Sequence, residues 1–73
     1  MGNPIRQFRE AMSLTQEQLG DLIGVKKALV SKWEKGKAPT PLKAIEIEEA
    51  TEGKVPRWRT RPDLWEAPSE AAE

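Results

Sequence analysis

Apolar residues recur at helical spacing along this 73-residue chain, in blocks separated by glycine, proline and hydroxyl residues. Ile5, Phe8 and Met12 fall at i, i+3 and i+7 behind Asn3-Pro4, where the asparagine is suited to an N-cap and the proline to a first turn that needs no N–H. This predicts a first helix over 4–12. After the short link Ser13-Leu14, Thr15-Gln16-Glu17-Gln18 has the capping-box pattern, and Leu19, Leu22 and Ile23 supply the inner face of a second helix over 16–23. Gly24 stops it, because the left-handed position after a helix is usually filled by glycine. The pattern then resumes at once. Val25, Leu29, Val30 and Trp33 face one side and Lys26, Lys27, Ser31, Lys32 and Lys35 the other, giving a third helix over 26–35 that Gly36 ends.

The string GKAPTP is a loop by its glycine and prolines, and Thr40-Pro41 repeats the cap-then-proline start for a fourth helix over 41–51, stopped by Gly53. Ala44, Ile47 and Thr51 form its expected core edge, with Leu42 and Ile45 broadening the apolar side. KVPRWRTRPDLW has room for a turn of helix and an extended segment that pins Val55, Trp58, Leu64 or Trp65, while EAPSEAAE is expected to fray. No alternating strand-like run, repeat or low-complexity tract occurs. The expectation is an all-α fold with one domain over 1–55 and a partly docked extension over 56–73 whose end is disordered.

Composition narrows the function. A chain this short buries only about 60% of its unfolded surface, so its core is small. It has no cysteine and no histidine, which removes disulfides, thiolate zinc and the commonest general base and metal ligand. The acids and lysines form no paired catalytic set with a pocket, so neither enzyme activity, cofactor nor metal is expected. No apolar run approaches the ~20 residues that span a bilayer, and MGNPIRQF lacks an apolar signal region. The chain reads as soluble and cytoplasmic, with no membrane partner.

The formal net charge is zero, but it is segregated. Residues 1–25 sum to −1, 26–43 to +5, 44–52 to −4, 54–61 to +4 and 62–73 to −4. A block of this kind focuses potential on one face, which lets a neutral protein attract a polyanion. The blocks fall on a suggestive geometry. Two short helices joined through Gly24, the second with a basic outer face, describe a helix-turn-helix. Gly20 is small enough for the two to approach closely, and the outer face of the third helix is then free to enter a major groove about 12 Å wide.

The run TQEQLGDLIGVKKALVSKWEKGKAPTP resembles the helix-turn-helix of the Cro and repressor (XRE-like) family of phage and bacterial regulators. It carries that family's Gln16-x-x-Leu19-Gly20-x-x-x-Gly24-Val25 and Ser31-x-Trp33-Glu34-x-Gly36 elements, and the resemblance covers about residues 4–55. It implies a compact four- to five-helix lambda-repressor-like domain. IEEATEGKVPRWRTRPDLW is also similar to the end of small Cro-like prophage regulators and YdaS-type antitoxins, although Thr60 replaces a leucine and Pro56 stands where a Ser or Thr cap is usual.

The resemblance implies roles by position. Lys27, Ala28, Ser31 and Lys32 face base edges, with Lys26 near the first bases or the backbone; lysine suits guanine O6 and N7, and an alanine methyl suits thymine. Gln16 donates to a phosphate beside the amides of its helix, and Lys35, Lys37, Lys43 and the Gly36 amide hold the backbone across the groove. Arg9 on the first helix pairs with Glu34, the one acid among the lysines of the third, which turns it away from DNA.

Several residues keep two readings. Trp33 is assigned to the core rather than to base stacking, because it is in phase with Val30. Leu29 either covers the second helix or touches a thymine methyl. RWRTR is either a second phosphate-binding element or a solvated tail, and Glu46, Glu48, Glu49 and Glu52 either face solvent or meet it. The functional expectation is a sequence-specific duplex-DNA-binding regulator, a repressor that occupies an operator as a homodimer, with Leu42, Ile45, Trp58 and Trp65 as first candidates for the dimer surface. The alternative is an antitoxin-type module whose tail, 56–73, binds a partner protein while the head regulates its own promoter.

Overall fold

The computed structural model describes residues 3–68, which form five helices and no strand: α1 Pro4–Ala11, α2 Gln16–Ile23, α3 Lys27–Glu34, α4 Pro41–Ala50 and α5 Arg57–Thr60. Three of the starts are fixed by side-chain caps that satisfy first-turn amides. Asn3 Oδ1 accepts the Ile5 and Arg6 N–H groups at 2.9 and 3.0 Å. Thr15 and Gln18 exchange both bonds of a capping box, at 3.0 and 2.8 Å. Thr40 Oγ1 accepts the Lys43 N–H at 3.2 Å. Helix α3 has no side-chain cap, and Lys26 and Lys35 flank it rather than lie within it.

The helix ends are less glycine-dependent than the sequence suggests. Both α1 and α4 close with the two reverse bonds of a Schellman turn, Ser13 N–H to Glu10 O with Leu14 N–H to Arg9 O, and Glu52 N–H to Glu49 O with Gly53 N–H to Glu48 O. The first left-handed residues are therefore Ser13 (φ +57°) and Glu52 (φ +55°), the latter followed by Gly53 at φ +83°, and α4 ends at Ala50, one residue short of the expected 51. The two main-chain bonds at each end, not glycine, hold these residues in a region that L side chains disfavour.

Ile5, Leu19, Val30, Trp33, Ile47 and Val55 form the core, and Phe8, Leu14, Ile23, Val25 and Leu29 pack around it. Ala44 and Thr51 are also buried, as the α4 spacing predicts. Thr51 is satisfied: its hydroxyl donates to Ile47 O at 2.8 Å and accepts the Val55 N–H at 3.1 Å, which delivers Val55 into the core. Leu22, placed by spacing on an inner face, is instead 49% exposed, and Leu42, expected to broaden the apolar side of α4, is 63% exposed. In α2 the buried pair is Leu19 and Gly20, so the packed stripe is turned toward Gly20 and Leu22 is left on its rim.

The extension is docked at least to Trp65. Helix α5 starts at Pro56 without a side-chain cap and is held by tertiary contacts instead. Arg57 Nε bonds Glu48 Oε1 at 2.6 Å while its guanidinium lies 5.4 Å from the centre of the Trp65 ring. Trp58 and Trp65 are half-buried and Leu64 is exposed. The fraying expected for the end falls largely on 69–73, outside the described residues. No helix among the described residues is long and apolar enough to cross a membrane.

Candidate nucleic-acid interface

The angle between α2 and α3 rests on two glycines. A Cβ on Gly20 would lie 2.5 Å from the Val25 carbonyl oxygen, so only glycine lets the turn close over α2. Gly24 sits at φ +94°, and the N–H groups of Gly24 and Val25 both donate to Gly20 O, at 2.7 and 2.8 Å. With Val30 and Trp33 committed to the core, the outward stripe of α3 is Ala28, Ser31, Lys32 and Lys35, at i, i+3, i+4 and i+7. Ala28, Lys32 and Lys35 are exposed and Ser31 is half-buried.

Lys27 lies a step around the helix, where it lines a shallow cleft with Arg9, Thr15, Gln16 and Glu17 at the start of α2. Lys26 is exposed at the N-cap. Trp33 is 2% exposed, which removes it from base stacking, and Leu29 packs against the core.

Glu34 does turn inward. Its carboxylate takes Arg9 Nε at 2.7 Å and Arg9 Nη2 at 3.1 Å, and Gln16 Nε2 donates to it at 3.2 Å. Arg9 Nη1 donates onward to Leu14 O at 3.0 Å. The side chains are 17% exposed for Arg9 and 5% for Glu34. Burial pushes the Glu34 carboxyl upward, but hydrogen bonds from Arg9 and Gln16 and the nearby guanidinium charges outweigh it and hold it below the ordinary value. Glu34 is thus charged, neutralised and withdrawn from the surface that its neighbours form.

Three phosphate candidates look different in space than in sequence. Gln16 is partly engaged by Glu34, leaving one amide hydrogen of its Nε2 for another acceptor. The Gly36 N–H, expected to meet phosphate, donates to Trp33 O at 3.1 Å, because the end of α3 closes on it; Lys37 N–H likewise donates to Lys32 O. Gly36, at φ +114°, contributes the turn that presents Lys35 and Lys37 rather than a free amide. Lys43 Nζ bonds Glu46 Oε1 at 2.8 Å, which uses one of its three hydrogens. The i, i+3 spacing carried that pairing signal.

Among the described residues five ion pairs engage Arg6, Arg9, Lys43, Arg57 and Arg61. Lys26, Lys27, Lys32, Lys35 and Lys37 are in none of them, and all five are exposed. Two long-range contacts border this surface and had no signal in the spacing. Asn3 Nδ2 donates to Trp33 O at 2.8 Å, and Arg61 Nη1 donates to Pro39 O at 2.9 Å.

A helix-turn-helix family model matches residues 5–56, more than half of the chain. No curated protein and no solved structure matches it. The family match takes in α1 to α4 and ends at Pro56, before the segment RWRTRPDLW.

Proposed function

The chain belongs to the helix-turn-helix family of Cro and repressor type, a family of DNA-binding transcription regulators, and from that premise we propose that it is a sequence-specific repressor that occupies an operator. The observation that carries this reading is the set of five exposed lysines outside any ion pair over residues 26–37, beside a single acid that is turned inward onto Arg9. On this reading the outward stripe of α3 enters the major groove. Lys27, Ala28, Ser31 and Lys32 read base edges, and Lys26 lies near the first bases or the backbone. Gln16, Lys35, Lys37 and Lys43 hold phosphates on the two sides of the groove.

One reading head of this size discriminates poorly alone, so the functional unit is a dimer on two half-sites about one helical turn apart. Leu42, 63% exposed, and the half-buried Ile45, Trp58 and Trp65 are the apolar residues available to an interface. The test is selection of sites from random duplex DNA followed by titration against salt. With roughly 5 phosphates neutralised per monomer, the log–log salt slope is about −4 to −5. A slope near zero, or selection that enriches no sequence, overturns the proposal.

A further inference from the structure

The motif Arg61-Pro62-Asp63 is used neither by the core nor by α3, yet it is tightly organised. Asp63 grips the Arg61 fork through Nε to Oδ1 at 2.9 Å and Nη2 to Oδ2 at 2.7 Å. The third side of the guanidinium donates from Nη1 to Pro39 O at 2.9 Å, across 22 residues of chain. Arg61 is itself anchored in both directions: its N–H donates to Arg57 O at 2.8 Å, and its carbonyl accepts the Leu64 and Trp65 N–H groups at 3.0 and 3.2 Å. Its side chain is 20% exposed.

Pro39 is buried, whereas Lys37 and Ala38 just before it are exposed. At the other end of the same loop, Asn3 Nδ2 fixes the Trp33 carbonyl that also accepts the Gly36 N–H. The loop that presents Lys37 is thus held at both ends from outside itself. We propose that Arg61, oriented by Asp63, is a positioning residue for DNA binding: it fixes the Gly36–Pro39 segment in the place from which Lys37 reaches a phosphate. This rests on the DNA-binding reading given above.

Two physical points separate this role from a direct contact. A loop ordered before binding loses less backbone entropy at the moment of contact, so its lysine delivers more of its attraction as affinity. Arg61 is a poor phosphate ligand itself, because three of its N–H groups are committed and the Asp63 carboxylate that covers the fork repels an anion.

The sign of one substitution decides. Asp63→Ala removes a negative charge, so electrostatics alone makes DNA binding tighter; positioning through Arg61 makes it weaker. Binding is measured by titrating a mixed-sequence duplex of about 30 base pairs at about 0.05 M salt, where phosphate contacts dominate. Asp63→Ala and Arg61→Lys each weaken binding by roughly threefold to tenfold with a salt slope shallower by about 1, as for loss of one phosphate contact. In a Lys37→Ala background neither change weakens binding further. Asp63→Ala that binds as tightly as the parent or tighter, or losses that multiply with that of Lys37→Ala, overturns the proposal. A parent protein with no salt-dependent binding would instead remove the DNA-binding reading itself.

Discussion

Glu34→Gln isolates what the inward-facing acid does for the fold. The glutamine keeps the shape but has one acceptor oxygen where the carboxylate has two, and its amide nitrogen meets donors in either orientation, Arg9 Nε in place of Oε2 or both Arg9 Nη2 and Gln16 Nε2 in place of Oε1. Breaking a fully buried pair by removing one partner costs about 3–5 kcal/mol, whereas an exposed pair is worth about 0.2–1 kcal/mol. Glu34 is almost fully covered, but Arg9 keeps 17% exposure and its bond to Leu14 O, so the expected loss is intermediate, about 2–3 kcal/mol. For a domain of this size that lowers Tm by about 10–20 °C.

Acid should remove the difference. The folded-state pKa of Glu34 lies below its ordinary 4.5, so the charge stabilises the fold fully above that value and ceases to as the pH falls through the lowered one. Thermal melts of parent and Glu34→Gln therefore diverge most near neutral pH and converge as the pH falls through that lowered value. A gap below about 0.5 kcal/mol at neutral pH would refute the role assigned to the pair. So would a gap that persists unchanged in acid.

Other substitutions test single elements. Gly20→Ala, which ordinary helix propensity favours by about 1 kcal/mol, should instead destabilise by about 1–3 kcal/mol, because the new Cβ meets the Val25 carbonyl at 2.5 Å; a urea midpoint that stays or rises contradicts this. Ser13→Gly relieves a left-handed serine at φ +57° and should stabilise by up to about 1 kcal/mol, read as a higher Tm; a lower Tm contradicts the closure assigned to α1. Lys32→Ala should change preference at one position of a selected site, and Lys37→Ala should weaken all sites alike; equal effects from both would remove the division between reading and holding.

Local chemistry made most of the helical frame readable. The α2 bounds follow from the Thr15 capping box and Gly24, both of which act within a few residues of the element they define. The ends of α1 and α4 were less legible, because Ser13 and Glu52 take the left-handed position on the strength of reverse main-chain bonds that no side chain advertises. Helix α5 is compatible in sequence with either a turn of helix or an extended segment, for a related reason. Its proline start gives no cap, and the Glu48–Arg57–Trp65 contacts that hold it are tertiary. Within the candidate site, phase along α3 sorted Val30 and Trp33 from Lys32 and Lys35, but Leu22 needed the close approach at Gly20 to be placed. The Gly36 amide is taken up by closure of its helix end, and the bond from Arg61 to Pro39 spans 22 residues, so neither carries a local signal.

The zero net charge and the basic surface are reconciled by which cations the fold uses internally. Arg6, Arg9, Arg57 and Arg61 each donate an Nε–H to a carboxylate of this chain, whereas Lys43 is the one lysine in an ion pair among the described residues. The chemistry suits the division. A guanidinium is a rigid fork that gains from fixed geometry, and an ammonium is a hydrated point charge on a flexible stem that can follow a phosphate without breaking a structural contact. Internal pairing thus neutralises acids with arginines and leaves the lysines of 26–37 to the outside. Acids farther away than the Debye length, about 8 Å at physiological salt, do not cancel them across a molecule 38 Å long. A polyanion approaching α3 meets the local excess and not the sum, which is why the salt slope, rather than the isoelectric point, measures what this surface does.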